Sequence, residues 1–265
     1  MISEFNFKEP EKLPIESFRD FNNILHQLSK LGVEISITTN GILLHKYFDC
    51  LLEAGVNKIN ISLDTLKRQK FNLITRRDYF DLVYKNIQKS LLVFDEVKLN
   101  VVLIKGKNDN ELIDFIDFTK ENKVNIRFIE YMPFDGNKWR KELTLTQNEI
   151  NDILQLNYRK KIVKILDEKN STSRNFKIEK YLGTFGFINT ITNPFCDSCN
   201  RIRLTADGKI KNCLFSSNET NLLGPLREGE GVKPLILKNI LAKHQKHGGI
   251  NSFEKDSHIY NKNRT

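Results

Sequence analysis

Between residues 15 and 131 the apolar positions switch repeatedly between two periods. Ile15, Phe18, Phe21, Leu25, Leu28 and Leu31 recur every three or four residues, which places them on one face of a helix. Gly32 follows, a residue that tolerates the left-handed backbone of a helix end. Val33–Ile37 then alternates strictly and predicts a strand. Leu44, Tyr47, Phe48, Leu51 and Leu52 make a second helical face, stopped by Gly55, and Val56–Leu63 is the next strand. Phe80, Val83, Tyr84, Ile87 and Leu91 line a further helix, and Val97–Ile104 a strand with an almost continuous apolar run. Leu112, Ile113, Ile116 and Phe118 predict another helix, and Ile126–Met132 another strand. Alternating strands and helices imply parallel βα units, so the class is α/β and the arrangement suits a (βα) barrel or part of one. In that architecture ligand groups gather at the C-terminal ends of the strands.

The rhythm breaks near Pro133. Residues 157–180 are polar and Lys-rich, with Asn170–Ser173 as a loop. Tyr181–Thr192 predicts a strand, and Arg201–Phe215 a hairpin turning at Ala206-Asp207-Gly208-Lys209, because Asp-Gly between alternating runs favours a tight turn. A last helix is expected over Val232–His247, with Gly248-Gly249 as its stop, ahead of a polar tail expected to be loose. The expected division is therefore a partial barrel over 1–133, a C-terminal segment over 134–250 and a tail over 251–265.

Composition narrows the setting. With 18 Phe and 39% hydrophobic residues in 265, the chain has enough apolar surface to bury a core. The formal charge of +9 points to an anionic partner: a nucleotide triphosphate, nucleic acid or an acidic surface. No window reaches the ~18 apolar residues of a membrane span, and Glu4 and Asn6 interrupt any secretory-signal core. Four Cys are too few for a disulfide scaffold in a chain of this length. The expected location is a reducing intracellular compartment: the cytoplasm of a bacterium, or a mitochondrion if a eukaryotic chain has lost a targeting segment.

The most specific chemistry lies in Phe195-Cys196-Asp197-Ser198-Cys199-Asn200-Arg201-Ile202-Arg203, with Cys213 on the far arm of the hairpin. Cys196 and Cys199, two residues apart, can grip one metal centre from a single turn, and the hairpin returns Cys213 to them. Three thiolates leave two readings open: zinc with a fourth ligand such as His244 or His247, or a 4Fe–4S cluster with one iron open to a further ligand. The neighbouring arginines favour the second, since cations beside an open metal site suit an anionic ligand. Cys50, on the helix expected over Ile42–Ala54, reads as a small buried residue.

The run Cys-Asp-Ser-Cys-Asn-Arg-Ile-Arg-Leu-Thr-Ala-Asp-Gly-Lys, followed by Cys-Leu-Phe, resembles the C-terminal cluster motif of the molybdenum cofactor biosynthesis protein A family, the radical-SAM GTP 3′,8-cyclases. Matching segments extend from Thr38 onward. The resemblance implies a radical-SAM type of incomplete (βα) barrel with a C-terminal iron–sulfur segment. It also implies conversion of GTP to 3′,8-cyclo-7,8-dihydro-GTP in molybdenum cofactor biosynthesis. By the same resemblance Cys196, Cys199 and Cys213 would hold a 4Fe–4S cluster. Thr38 in Thr-Thr-Asn-Gly, Lys98, Arg127, Arg201, Ile202 and Arg203 would contact GTP, and Ser62 and Met132 would contact S-adenosyl-L-methionine (SAM). A triphosphate then accounts for the basic balance more simply than nucleic acid does.

The sequence departs from that pattern at both ends. The family holds a second 4Fe–4S cluster, the one that cleaves SAM, in a Cys-x-x-x-Cys-x-x-Cys loop, and no such motif occurs here. Lys8-Glu9-Pro10 is at most a remainder of the family's Gly-Gly-Glu-Pro element, and Asn263-Arg264-Thr265 does not match its Gly-Gly tail. The expectation is a fragmentary chain that does not turn over alone and that takes the missing ligands from a separate chain or an upstream segment, with a homodimer as a further partner. The competing expectation is a metal-stabilised module that binds a nucleotide or RNA without catalysis. No membrane partner is expected.

Overall fold

The computed structural model describes residues 15–134, 137, 139–216, 218–250 and 253. Lys8-Glu9-Pro10, Asn263-Arg264-Thr265 and, Phe253 apart, the tail 251–265 lie outside the described residues. The chain forms two units. The first takes in the chain to Tyr131, Glu142–Asp167 and Ser173–Ile188, and so reaches well past residue 133; the second is Met132–Lys141, Glu168–Thr172 and the chain from Asn189.

The first unit is built on a sheet of seven strands: β1 (Ser36–Thr39), β2 (Lys58–Ser62), β3 (Glu96–Leu103), β4 (Asn125–Glu130), β5 (Ile162–Lys164), β6 (Arg174–Ile178) and β7 (Thr184–Ile188). Their order is β1-β2-β3-β4-β7-β6-β5, with β1 to β4 and β7 parallel and the β7-β6-β5 edge antiparallel. The α/β class and the parallel βα rhythm expected from the sequence are thus present. Helices α1 (Ile15–Ser29), α2 (Phe48–Glu53), α3 (Arg68–Thr75), α4 (Phe80–Val93), α5 (Leu112–Phe118) and α6 (Gln147–Tyr158) complete it.

Strand polarity decides which side of the sheet is core. Buried and half-buried residues alternate along the whole of β3, with Glu96, Lys98, Asn100 and Val102 at the half-buried positions. Ile59 and Ile61 of β2, Leu99 and Val101 of β3, Ile126 and Phe128 of β4 and Phe185 of β7 are essentially inaccessible and share one face. Val83, Ile87, Leu112, Phe115 and Ile116 from α4 and α5 belong to the same buried cluster. Phe128 stacks on Phe187 at 5.4 Å and meets Phe115 edge-on at 6.2 Å. The other face carries Thr38, Asn60, Ser62, Lys98, Asn100, Asn125 and Arg127.

Several boundaries differ from the sequence-based expectations. The first strand is Ser36–Thr39 rather than Val33–Ile37, and Val33 is exposed, as are Leu28 and Leu31 of the preceding helical pattern. The polar stretch 157–180 contains a hairpin, β5–β6, on the edge of the sheet. Helix α6 was not anticipated; it starts at a capping box in which Thr146 and Glu149 satisfy each other's backbone N–H groups. Cys50 is half-buried, its thiol donating to Asn22 Oδ1 at 3.4 Å.

In the second unit β8 (Arg203–Leu204) and β9 (Lys209–Lys211) form the expected hairpin, extended by β10 (Thr220–Asn221). Gly208 turns it with φ +73°, and a Cβ there would collide with Leu223. Helix α7 covers Leu223–Arg227 and α8 covers Lys233–Leu241, so the last helix ends six residues before His247. Gly248-Gly249 is therefore not its stop: His247–Gly249 form a separate 3-10 turn, and Gly248 packs against the Ser216 backbone.

Candidate functional site

In the first unit the polar face of the sheet assembles most of the barrel residues singled out from the sequence. Register places Thr38, Asn60, Lys98, Asn125 and Thr184 in one row across five strands, and Ser62, Asn100, Arg127 and Gly186 in the next. Asn60 is the organiser. Its Nδ2 donates to Ser36 Oγ at 2.9 Å and to the Ile37 carbonyl at 3.3 Å, and its Oδ1 accepts from Arg127 Nη1 at 3.4 Å. The Lys98 ammonium lies 2.8 Å from Glu96 Oε1, so its charge is balanced within the strand. Asn125 donates to Thr184 Oγ1 at 2.9 Å. The Oδ1 atoms of Asn100 and Asn125 are buried without a hydrogen-bond partner, leaving acceptor capacity on this face.

The loops at the C-terminal ends of these strands are held by side-chain hydrogen bonds. After β1, Thr39 Oγ1 accepts from Gly41 N–H and Asn40 Oδ1 from Ile42 N–H, both at 3.1 Å. The buried Asn86 of α4 donates to the Gly41 carbonyl at 2.7 Å. Gly41 needs to be glycine: φ is +79°, and a Cβ would lie 3.1 Å from Ile61 and 3.3 Å from Val83. After β2, Asp64 Oδ1 accepts from Val102 N–H at 2.8 Å, and burial pushes its carboxyl up to about 6 against that hydrogen bond. Glu111, fully buried, accepts from Thr65 Oγ1 and Leu66 N–H and pairs with Lys70 Nζ at 2.6 Å. Those bonds tie the loop that follows Ser62 to the start of α5.

In the second unit Cys196–Ser198 form a 3-10 turn closed by Cys199 N–H to the Cys196 carbonyl at 3.1 Å. Cys213 follows β9, whose Lys211 pairs with Arg203. Arg203 sits in the electrostatic field of Cys213 and Cys199, yet its burial is the larger effect and lowers its guanidinium from the ordinary value. Arg201 Nη2 donates to the Asn170 carbonyl at 2.8 Å, Nη1 approaches Cys199 Sγ at 3.6 Å, and the guanidinium lies over the Phe195 ring at 5.1 Å. Partial burial opposes the Cys199 thiolate, but the Arg201 backbone N–H, the Lys243 ammonium and the Arg201 charge hold the thiol below its usual value. Ile202, between the two arginines, is 46% exposed. Met132 is buried, and its carbonyl accepts from Asn137 Nδ2 at 2.8 Å.

The donor set fits an iron–sulfur cluster. All three cysteines are free thiols, and Cys199 lies beside cations that favour its thiolate. Among the described residues no three His, Cys, Asp or Glu side chains converge as ligands of a single ion do. A cubane attaches its thiolates to separate irons. The His247 Nε2 lies 2.8 Å from the Thr190 carbonyl, and its ring packs against Phe215 and Phe253.

Among the described residues no helix is long and apolar enough to cross a membrane. Two family models match the chain, Radical SAM superfamily over residues 15–119 and Molybdenum Cofactor Synthesis C over residues 124–249. The GTP 3′,8-cyclase of Peptoclostridium acidaminophilum is 42% identical over 230 residues, which cover 84% of this chain and 69% of that protein. The mitochondrial GTP 3′,8-cyclase of Arabidopsis thaliana is 40% identical over 238 residues, 88% of this chain and 61% of that one. Molybdenum cofactor biosynthesis protein 1 of Dictyostelium discoideum is 42% identical over 240 residues, 88% of this chain and 38% of that one. The chain spans only part of each relative, yet the shared region includes the parallel βα sheet and the cysteine hairpin alike. On that breadth of match, the chain belongs to the radical-SAM family of molybdenum cofactor biosynthesis proteins that includes the GTP 3′,8-cyclases.

Proposed function

We propose that the chain takes part in the GTP 3′,8-cyclase reaction of molybdenum cofactor biosynthesis, and that it contributes the substrate-holding side of that enzyme. The observation that carries this reading is the hairpin in which Arg201 and Arg203 lie between the pair Cys196 and Cys199 and the returning Cys213. Cys196, Cys199 and Cys213 would hold a 4Fe–4S cluster there. Bound in this way, the cluster would supply a Lewis-acidic iron for the guanine ring. Arg201 and Arg203 place fixed positive charge on the same hairpin, suited to the anionic oxygens of GTP.

In the first unit Thr38, Lys98 and Arg127 are the GTP contacts and Ser62 a SAM contact; in the second, Met132 is a SAM contact. The pairing of Lys98 with Glu96 gives this assignment a physical content. An arriving phosphate exchanges one carboxylate partner for another anion, so the ammonium is charged and aimed before substrate binds. Arg127 is similarly oriented by the Asn60 carbonyl oxygen. The contribution of these side chains is positioning, holding C3′ of the ribose and C8 of the base in a geometry from which the ring can close.

The test is anaerobic reconstitution followed by iron and sulfide analysis and EPR, repeated with GTP and with Cys213→Ala. The expected result is ~4 irons per chain, lost in the variant, with a spectrum perturbed by GTP. Zinc in place of iron, or a cluster spectrum indifferent to GTP, overturns the assignment.

A further inference from the structure

The stretch from Asn239 to His247 touches both arms of the cysteine hairpin, and nothing in the substrate assignment accounts for it. Asn239, in the last turn of α8 and buried, donates from Nδ2 to Thr220 Oγ1 at 3.0 Å and the Ile210 carbonyl at 3.3 Å, and its own carbonyl accepts from Asn212 Nδ2 at 2.7 Å. Asn212 is the residue before Cys213, so this exchange fixes the arm carrying the third thiol. Four residues on, Lys243 reaches the other arm. Its Nζ donates to the Cys199 carbonyl at 2.8 Å, to the Arg201 carbonyl at 3.1 Å and to Cys199 Sγ at 3.3 Å. Four residues further, His247 holds the Thr190 carbonyl, and Gly248 lies against the backbone of Ser216, just past Cys213.

The stoichiometry of the Lys243 contacts is informative. An ammonium has three N–H donors, and here there are three acceptors, all on the cysteine turn. This cation therefore has no donor left for a phosphate, and its direction is towards sulfur. Arg201 is the rival for that sulfur, but its contact is longer at 3.6 Å and its other guanidinium nitrogen is engaged by Asn170.

We infer that Lys243 is a positioning residue for the iron–sulfur cluster of this hairpin and, through its hydrogen bond to Cys199 Sγ, raises the electron affinity of that cluster. The inference rests on the proposed binding of a cluster by the three cysteines. A cation that donates to a ligand thiolate draws electron density from the sulfur and stabilises the more negative, reduced form. Its bonds to the Cys199 and Arg201 carbonyls meanwhile fix the backbone that carries that thiol.

The experiment compares full-length wild type with Lys243→Met, Lys243→Gln and Lys243→Arg after anaerobic reconstitution. The readouts are far-UV circular dichroism for folding, iron retention under a chelator, and EPR at a series of poised potentials. The Met variant is expected to disfavour reduction by about tenfold, or about 59 mV for one electron, and to release iron faster. Gln, which keeps a donor without the charge, falls between Met and wild type, and Arg restores most of the wild-type potential. Should the Met variant fail to fold or to hold iron, the Gln and Arg pair carries the same comparison. Potentials within twofold of wild type in the reduction equilibrium overturn the inference, including when iron is merely lost faster, because that is what a purely structural lysine produces. Absence of an iron–sulfur cluster in the wild type is a different failure, that of the underlying assignment.

Discussion

Gly41 sits where a side chain has to displace two core residues, Ile61 and Val83, and where the backbone is left-handed. Gly41→Ala is expected to cost about 1–3 kcal/mol, read as a lower denaturant midpoint with an unchanged slope. Asp64 yields a pH prediction from the opposite side of the same face. Its carboxyl, raised to about 6 mainly by burial, is above the roughly 3.9 of an unfolded chain. Ionisation is thus resisted in the folded state, and this carboxyl's contribution to stability is fully present below pH ~4 and is lost as pH rises towards 6. Asp64→Asn keeps an acceptor for Val102 N–H and removes the charge, so the slope should vanish and stability at pH 7 rise by about 1–3 kcal/mol. Denaturant melts of both proteins between pH 4 and 8 check the sign; a parallel slope in the variant would refute it. Site residues were legible in sequence to different degrees. The cysteines and arginines lie close together in an unusual run, whereas Asn60, Asn86 and Glu111 are single polar residues whose partners are 23 to 67 positions away. Asn60 and Asn100 could have been found as polar residues recurring on alternate positions of apolar strands. Lys243 had no local signal, because its role depends on a turn 44 residues earlier.

Among the elements, α6 joins a local start signal to an apolar face of Ile150, Leu154 and Tyr158. Glu149 bonds Lys105 and both the backbone and hydroxyl of Thr146, and these contacts, the lysine first, pull its carboxyl down to about 2. The folded value is below the unfolded one, so the contribution is present above pH ~4.3 and disappears as pH falls through 2. Glu149→Gln should therefore destabilise by about 1 kcal/mol or less at pH 7, with the two proteins converging at pH 2–3 in thermal melts. A constant difference at every pH would show that charge is irrelevant to the cap. The same scale explains which elements the hydrophobic pattern revealed. Strands β2, β3 and β4 bury every second residue completely, so their signal is strong. β5 and β6 form a hairpin at the sheet edge with mostly half-exposed residues, and their Lys and Arg made them read as loop. The last helix was overextended because the pattern carries no sign that the chain leaves α8 after Leu241, where Lys243 and His247 take up contacts with the cysteine hairpin.

At the scale of the molecule, the first unit is discontinuous, and this sets what can fold alone. β4 is flanked by β3 on one side and β7 on the other, although 53 residues separate the end of β4 at Glu130 from the start of β7 at Thr184. Phe185 and Phe187 supply ring contacts to the core, and Ile150, Leu154 and Tyr158 of α6 belong to the same buried cluster. Tyr158 and Tyr181 both donate to Asp117 Oδ1, at 2.7 and 2.8 Å, so α5, α6 and the approach to β7 share one acceptor. A piece ending at residue 133 would lose all of these. At about 1.5–3 kcal/mol for each large buried apolar side chain, the loss of five is comparable to the whole ~5–15 kcal/mol that stabilises a typical domain. Such a piece is expected to show no cooperative thermal transition by far-UV circular dichroism and to aggregate through the uncovered edge of β4. A piece extended to residue 188 restores the β4–β7 pairing, α6 and the tyrosine contacts, and is expected to melt cooperatively. A cooperative transition in the shorter piece would mean that β1 to β4 and their helices are sufficient, and that residues 142–188 merely decorate a core already complete.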